Sequence, residues 1–310
     1  MSGYGLSSRA IIGEFYETLE RVQNAGWLDM VSMYFNSDQE SETYKWLGQS
    51  PGMREWIGGR QAKGFRENGI TIANKKYEST LEVSVDELRR DKTGQIMLRV
   101  QEQADRAADH WFDLLTTLIV NGESGICYDG QYFFDTDHSE GDSGTQDNDL
   151  TYNVGTTTAP TAAEMEAAIL NAMQALLGFK DDQGKPMNAN AKEFLVMVPA
   201  PFFAASAAAT KNPVIVDGSA SRTNLITNLN GFQVRLEVNP RLTWTTKFAV
   251  FTNYGRTRAF IRQEEEPITM AAIAEGSELE FTDDKHLYGI KSLRNVGYGM
   301  WQKGCLTTLT

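Results

Sequence analysis

Apolar residues recur at helical spacing in three stretches of the chain and alternate with polar ones in several others. Over residues 94–121, Met97, Val100, Ala104, Ala107, Trp111, Leu114, Leu115 and Leu118 follow the three- and four-residue steps of one helix face. Gln101, Asp105, Arg106 and Asp109 fall largely off that stripe. The pattern predicts one helix spanning on the order of 40 Å at ~1.5 Å per residue, with Gly122 as the left-handed residue after its end. It is more than twice the ~11–12-residue average, and no second stretch matches it, which favours a structural spine over a bundle. Residues 11–22 predict a short amphipathic helix, with Ile12, Phe15, Tyr16 and Leu19 near one face and Gly26 ending it. A third helix opens at Thr161 and Glu164, the spacing of a capping box. It buries Met165, Ile169, Met173, Leu176 and Leu177 and stops at Gly178.

Strand patterns surround these helices. Residues 43–85 read as a long two-stranded excursion. Tyr44-Lys45-Trp46-Leu47-Gly48 is a short strand candidate, Pro51-Gly52 a turn, and Gln61 to Asn68 a polar, basic stretch. Ile70-Thr71-Ile72 resumes the strand, and Tyr77, Leu81, Val83 and Val85 alternate with polar residues. An isolated hairpin is marginal in water, so this one needs a surface to lie on. Residues 135–161 hold few large apolar side chains and read as a surface loop between the spine and a second unit. In that unit, residues 194–198 form a continuous apolar strand buried on both faces. Pro201 starts an Ala-rich helix, and Asn230-Gly231 signals a hairpin turn. Residues 232–238 and 248–252 are half-buried strands. Residues 160–255 therefore read as an α/β unit, followed by strand-like runs at 258–261 and 287–293.

Composition narrows the function. The chain has 310 residues and a net charge of -12, from 29 Lys and Arg against 41 Asp and Glu. A protein that coats nucleic acid through phosphate contacts needs the opposite balance. No apolar run is long enough for a membrane span. The first ten residues have no apolar core, so no signal peptide is expected. Cys127 and Cys305 do not make a disulfide scaffold, and a reducing compartment is the default.

The densest candidate for chemistry is Asp135-Thr136-Asp137-His138-Ser139-Glu140-Gly141-Asp142, where carboxylates and a histidine sit close together. Its spacing fits neither the calcium loop nor H-E-x-x-H, so a solvated acidic loop is the favoured reading over a metal site. No Gly-x-Ser-x-Gly elbow and no phosphate loop occur. His110 reads as a packing residue of the long helix, and Cys127 as a small buried hydrophobe. Trp46, Trp56, Arg54, Glu55 and Arg60 crowd the exposed excursion. Trp and Arg are enriched where surfaces dock; burial in the chain's own core is the equal alternative.

Several blocks, in order and spacing, resemble the major head subunit of Mu-like phages, the major capsid protein of transposable tailed phages. They are Tyr44-Lys45-Trp46-Leu47-Gly48, Met53-Arg54-Glu55-Trp56-Ile57-Gly58 and Ile72-Ala73-Asn74-Lys75-Lys76-Tyr77-Glu78. The helix after Asp91, Cys127-Tyr128-Asp129-Gly130-Gln131 and Phe133-Phe134-Asp135-Thr136-Asp137-His138 complete them. The similarity is dense over residues 40–140 and looser beyond 160, where 194–199 and 288–301 fit.

The resemblance implies an α+β chain with the tailed-phage and herpesvirus (Hong Kong-type) capsid fold. Its parts would be an N-terminal arm at 1–41, an E-loop hairpin at 42–80 and a peripheral domain at 81–159 with its spine helix at 94–121. An axial α/β domain at 160–258 and a return to the peripheral domain at 259–310 complete it. It implies a structural protein, not an enzyme, with no cofactor and no metal. Copies would form hexamers and pentamers of an icosahedral shell enclosing double-stranded DNA without sequence-specific binding, and without a membrane. Portal, scaffolding or protease, and decoration proteins are the implied partners. The implied location is the virion capsid, reached from the bacterial host cytoplasm during assembly. In the E-loop, Trp46, Trp56 and Ile57 are the expected apolar anchors between subunits, and Arg54, Glu55 and Arg60 their polar partners. No long coiled coil opens the chain, so scaffolding is expected to be a separate protein. Lys75 and Lys76 lie near the E-loop, and no crosslink is expected there. The alternatives are a bacterial nanocompartment shell of the same fold and, further off, a metal-dependent hydrolase using Asp135, Asp137 and His138.

Overall fold

The structure, a computed structural model that describes residues 7–22, 26–45, 69–91, 93–218 and 220–310, is organised around the longest apolar stripe. That stripe folds as helix α4 (Gln95–Val120), whose buried Ile96, Val100, Ala104, Ala107, Trp111, Leu115 and Ile119 step by three and four. Gly94, in the left-handed region, leads into it. The Asp91 carboxylate accepts the Ile96 and Gln95 amides at 3.0 and 3.1 Å. Those bonds satisfy donors that the helix leaves open and hold the Asp91 pKa below the usual carboxylate range. At the other end the expected role of Gly122 is corrected. The chain continues as a 3-10 turn over Asn121–Glu123, and Gly122 is not left-handed. A Cβ there would meet Phe134 Cδ2 at 2.4 Å. Glycine is needed because the Phe134 ring lies on the backbone.

Beside α4 lies a sheet in the order β1 (Ser32–Asn36), β13 (Phe260–Ile273), β14 (Lys285–Tyr298), β4 (Lys75–Ser84). β13 and β14 run antiparallel over fourteen residues each, where the sequence pattern marks only short runs. The three glutamates Glu264, Glu265 and Glu266 interrupt the alternation. A bulge between Glu264 and Glu266 absorbs them, and Glu265 accepts from Asn74 Nδ2 at 3.1 Å. Helix α8 (Glu278–Asp283) lies between β13 and β14, and α3 (Val85–Arg90) follows β4.

Helix α1 (Ser8–Val22) packs on α4 of its own chain. Ile11 and Phe15 share a cluster with Val100, Ala104, Met270 and Tyr288, and Gln101 Nε2 donates to Glu14 at 2.6 Å. Next come α2 (Leu28–Val31) and β1, the parallel partner of β13. The described part of the expected arm is thus docked on the body by an apolar face and a strand pairing.

The second sheet runs β11 (Gln233–Val238), β8 (Glu193–Val198), β12 (Lys247–Thr252), β15 (Gly304–Leu309), β7 (Asp149–Tyr152). β8 is buried along almost its whole length, and so is β12, which the sequence pattern marks as half-buried. Helices α5 (Ala162–Gly178) and α6 (Phe203–Lys211) pack together beside this sheet, and the Thr161–Glu164 capping box opens α5. Two expectations are corrected. Asn230-Gly231 makes no hairpin: β11 follows the short helix α7 (Leu225–Asn228) and pairs parallel with β8. The turn therefore links a helix to a strand. β15, expected to return with the rest of 259–310, instead inserts between β12 and β7, with Val250 opposite Cys305. Its residues are almost all buried, and the middle of this sheet is where they shed water on both faces. One core consequently runs from Trp27 and Trp111 through Phe260 to Met165, Val196 and Trp301.

Candidate assembly surfaces

Strands β2 (Ser41–Tyr44) and β3 (Ile70–Ala73) pair antiparallel, with Tyr44 opposite Ile70. They are the two sides of one stem, which the chain leaves at Lys45 and rejoins at Gly69. Buried Gln263 of β13 holds that stem. The Tyr44 hydroxyl donates to its Oε1 at 2.7 Å, and its Nε2 donates to the Ile72 carbonyl at 3.1 Å and Asn74 Oδ1 at 2.9 Å. The first strand lies earlier than Tyr44-Lys45-Trp46-Leu47-Gly48 predicts. Trp46, Arg54, Glu55, Trp56, Ile57 and Arg60 all lie outside the described residues.

The segment expected as a solvated acidic loop is built into the core. β5 (His138–Ser139) and β6 (Thr145–Gln146) pair within it. His138 is fully buried. Its Nδ1 lies 2.6 Å from Asp129 Oδ2, and its ring stacks on Trp301. Buried Asn148 donates to the carbonyls of Phe133 and Gly304 at 2.9 and 3.1 Å and accepts from the Asp135 amide at 2.9 Å. These bonds supply partners for backbone that crosses a core without regular structure.

The three residues of the hydrolase alternative do not converge. Asp135 accepts the Tyr132 and Thr136 amides of its own turn. Asp137 takes Gln131 Nε2 at 2.8 Å near the surface. His138 is closed off beneath Trp301. Among the described residues no group of three or more His, Cys, Asp or Glu is placed to hold a metal. Burial pushes the Cys127 thiol well up, so it is a protonated core residue and no nucleophile. Burial, and then the charge of Arg294, push the His110 imidazole down to about 4. Its ring lies edge-on to Tyr77 at 4.3 Å, the packing role its place in the helix predicts.

The sequence pattern does not single out a different surface. Strands β9 (Val214–Asp217) and β10 (Ala220–Thr223) form a hairpin beside α5 and α6. Ile215 points inward at 2 % exposure, whereas Val214 and Val216 are 53 % and 65 % exposed. Phe203 at the start of α6 and Leu225 at the start of α7 are 57 % and 54 % exposed. Buried Asn224 fastens these elements together. Its amide donates to the Pro213 carbonyl at 3.0 Å, its Nδ2 donates to the Ala209 and Asn212 carbonyls at 2.7 Å, and its Oδ1 caps α7. Leu225 and Val214 therefore flank one hydrogen bond. A composition signal marks the region in retrospect. Residues 199–232 carry three charges, Lys211, Asp217 and Arg222, in a chain that is 23 % charged. Charge depletion around exposed large apolar side chains is the mark of an interface core.

Known proteins supply the remaining context. The family described as Mu-like prophage major head subunit gpT matches residues 8–165. The Mu-like prophage FluMu major head subunit of Haemophilus influenzae is 36 % identical over 111 residues, 36 % of this chain and 36 % of that protein. The major capsid protein of Escherichia phage Mu is 38 % identical over 108 residues, 35 % of each chain. These matches span about a third of either relative. Among solved structures, a subunit of the bacteriophage JBD30 procapsid superposes with a TM-score of 0.55 at 22 % identity. That likeness covers 98 % of this chain and 76 % of the other, and it establishes the tailed-phage capsid fold. With half of its length matched by the family and a capsid fold along nearly all of it, the chain belongs to the Mu-like prophage major head subunit family.

Proposed function

We propose that this chain is the major capsid protein of a tailed phage or prophage, and that its work is burial between copies. In the bacterial cytoplasm, copies form hexamers and pentamers that close into an icosahedral shell around double-stranded DNA. The observation that carries this reading is the uncharged face of Phe203, Val214, Val216 and Leu225 on a chain of net charge -12. Like-charged copies repel over most of their surface and meet at least electrostatic cost where charge is missing. Burying four half-exposed apolar side chains there contributes about 1 kcal/mol each. Each contact is weak, but ring closure multiplies them.

In this reading residues 160–258, joined by β15 at the C-terminal end, are the axial domain at the capsomer centre, 1–41 the arm, and 81–159 with the rest of 259–310 the peripheral domain. The E-loop, expected over 42–80, has its stem and the start of β4 on this chain's own body. The excursion beyond the stem lies over a neighbouring subunit, with Trp46, Trp56 and Ile57 as anchors and Arg54, Glu55 and Arg60 as polar partners. Portal, scaffolding or protease, and decoration proteins complete the head. An acidic inner wall would hold DNA loosely, because phosphates release no counterions to it; acidic side chains mapped mainly to the outside of the shell would refute that. The test is electron microscopy and sedimentation of the purified protein with its scaffolding protein supplied. Closed shells or capsomer rings support the reading. A subunit that stays monomeric with scaffold present overturns it.

A further inference from the structure

The exposed apolar face is not self-supporting. Among the described residues β9 pairs only with β10, and a two-stranded hairpin is marginal by itself, so something else must set its angle to the body. That role falls to a side chain of α5. Glu166 is 1 % exposed, on a helix whose Met165, Ile169 and Met173 are anchored in the core. Its Oε2 lies 2.5 Å from the Arg222 guanidinium in β10. Its Oε1 accepts the Leu225 amide at 2.5 Å. Arg222 is the register partner of Ile215, the residue between the exposed Val214 and Val216. One carboxylate therefore grips the hairpin at the centre of the exposed pair and holds the backbone of the third apolar residue.

We propose that Glu166 is a positioning residue for assembly: its two contacts orient the β9–β10 hairpin and the start of α7, and so set the angle at which the apolar faces of two copies meet. This inference rests on the reading of that face as a contact between copies. A buried carboxylate is costly unless paired and hydrogen-bonded, and here Oε1 is hydrogen-bonded to the start of α7 and Oε2 is ion-paired with β10. Arg222 is 36 % exposed at its side chain, so it reaches Glu166 from the rim and belongs to the contact region itself.

Three variants test it: Glu166→Gln, which keeps size and an acceptor for the Leu225 amide; Glu166→Gln with Arg222→Gln, which leaves no lone buried charge; and Arg222→Lys, which keeps the ion pair. The readouts are thermal unfolding of the unassembled subunit, and shell yield and diameter by sedimentation and microscopy with scaffold. Arg222→Lys is expected to assemble like the parent. The two Gln variants are expected to unfold within a few degrees of it, yet to give at least tenfold fewer closed shells, or shells of altered diameter. Normal shells at normal yield from either Gln variant overturn the proposal, and the double variant decides if the single one does not fold. A parent protein that forms no shell with scaffold overturns instead the reading on which this one rests.

Discussion

The imidazole of His138 lies flat on the indole of Trp301, with ring centroids 4.0 Å apart and planes 8° from parallel. The stack joins the segment that follows α4 to the turn that leads into β15. It sits where the chain crosses between the two sheets, beside Phe179, whose ring meets Trp301 edge-on at 5.3 Å. The residue that looked most like a metal ligand is a fastener between distant parts of the chain.

Replacing His138 should therefore weaken the fold rather than abolish a reaction. His138→Ala removes the stack and leaves the Asp129 carboxylate, 3 % exposed at its side chain, buried without its partner. The expected loss is about 3–5 kcal/mol, read from urea unfolding of the unassembled subunit. An unchanged midpoint would show that the pair carries no stability.

Asp149 makes stability depend on pH. Burial, and then the charge of Glu123, push its carboxyl up to about 6. The folded chain thus holds a proton that the unfolded chain gives up nearer 4. The stability this group contributes is complete below about pH 4 and is lost as pH rises through 6. Asp149→Asn is expected to gain about 1 kcal/mol at pH 7, after discounting for solvent screening. The gain should vanish toward pH 4. Paired unfolding curves at the two pH values check this, and an equal effect at both would contradict it.

Two glycines at helix ends should respond differently to alanine. A Cβ at Gly122 would fall within 3 Å of the Phe134 ring, whereas nothing lies within 4 Å of one at Gly178. Gly122→Ala is expected to cost about 1–3 kcal/mol through overpacking. Gly178→Ala, at the end of α5, should be neutral or slightly stabilising. Thermal unfolding of both proteins measures the contrast; equal shifts would remove the close-approach explanation.

The exposed hairpin predicts an assembly phenotype without a folding one. Val214 and Val216 are more than half exposed, so Val214→Asp with Val216→Asp should unfold at nearly the parent temperature. Carboxylates placed on both sides of a contact between copies repel. No shells are expected with scaffold supplied, and a normal yield would remove this face from the contact.

Removing residues 50–66 tests the excursion. The paired stem is tied to Gln263 from inside the body, so the shortened chain should keep its secondary structure and unfolding cooperativity. Shells should be lost. Normal shells from this protein would refute the E-loop assignment.

Much of the local architecture was legible beforehand, because it depends on residues close in sequence. The period of Val100, Ala104, Ala107, Trp111 and Leu115 allows no other element than α4. The Thr161–Glu164 box opens α5 where its chemistry requires. The apolar run through Phe194 and Val198 forms a buried strand. Blocks such as the one ending at His138 carried the family resemblance. The exposed face at Phe203, Val214, Val216 and Leu225 was hidden, because exposure of an apolar residue has no local signature; only the thinness of charge around it was there to be read.

By itself the sequence determined the period and length of the longest helix, the Thr161–Glu164 cap of α5, the acidic balance and the family. These follow from backbone geometry and side-chain chemistry within a few residues. Tertiary structure decided where polar residues end up and which strands are neighbours. His138 is buried because Asp129 and Trp301 meet it. β15 reaches the middle of a sheet because β12 and β7 leave a gap between them. Gly122 is needed because Phe134 lies against it. In each case the partner comes from another part of the chain, and the free energy of burying a group depends on that partner.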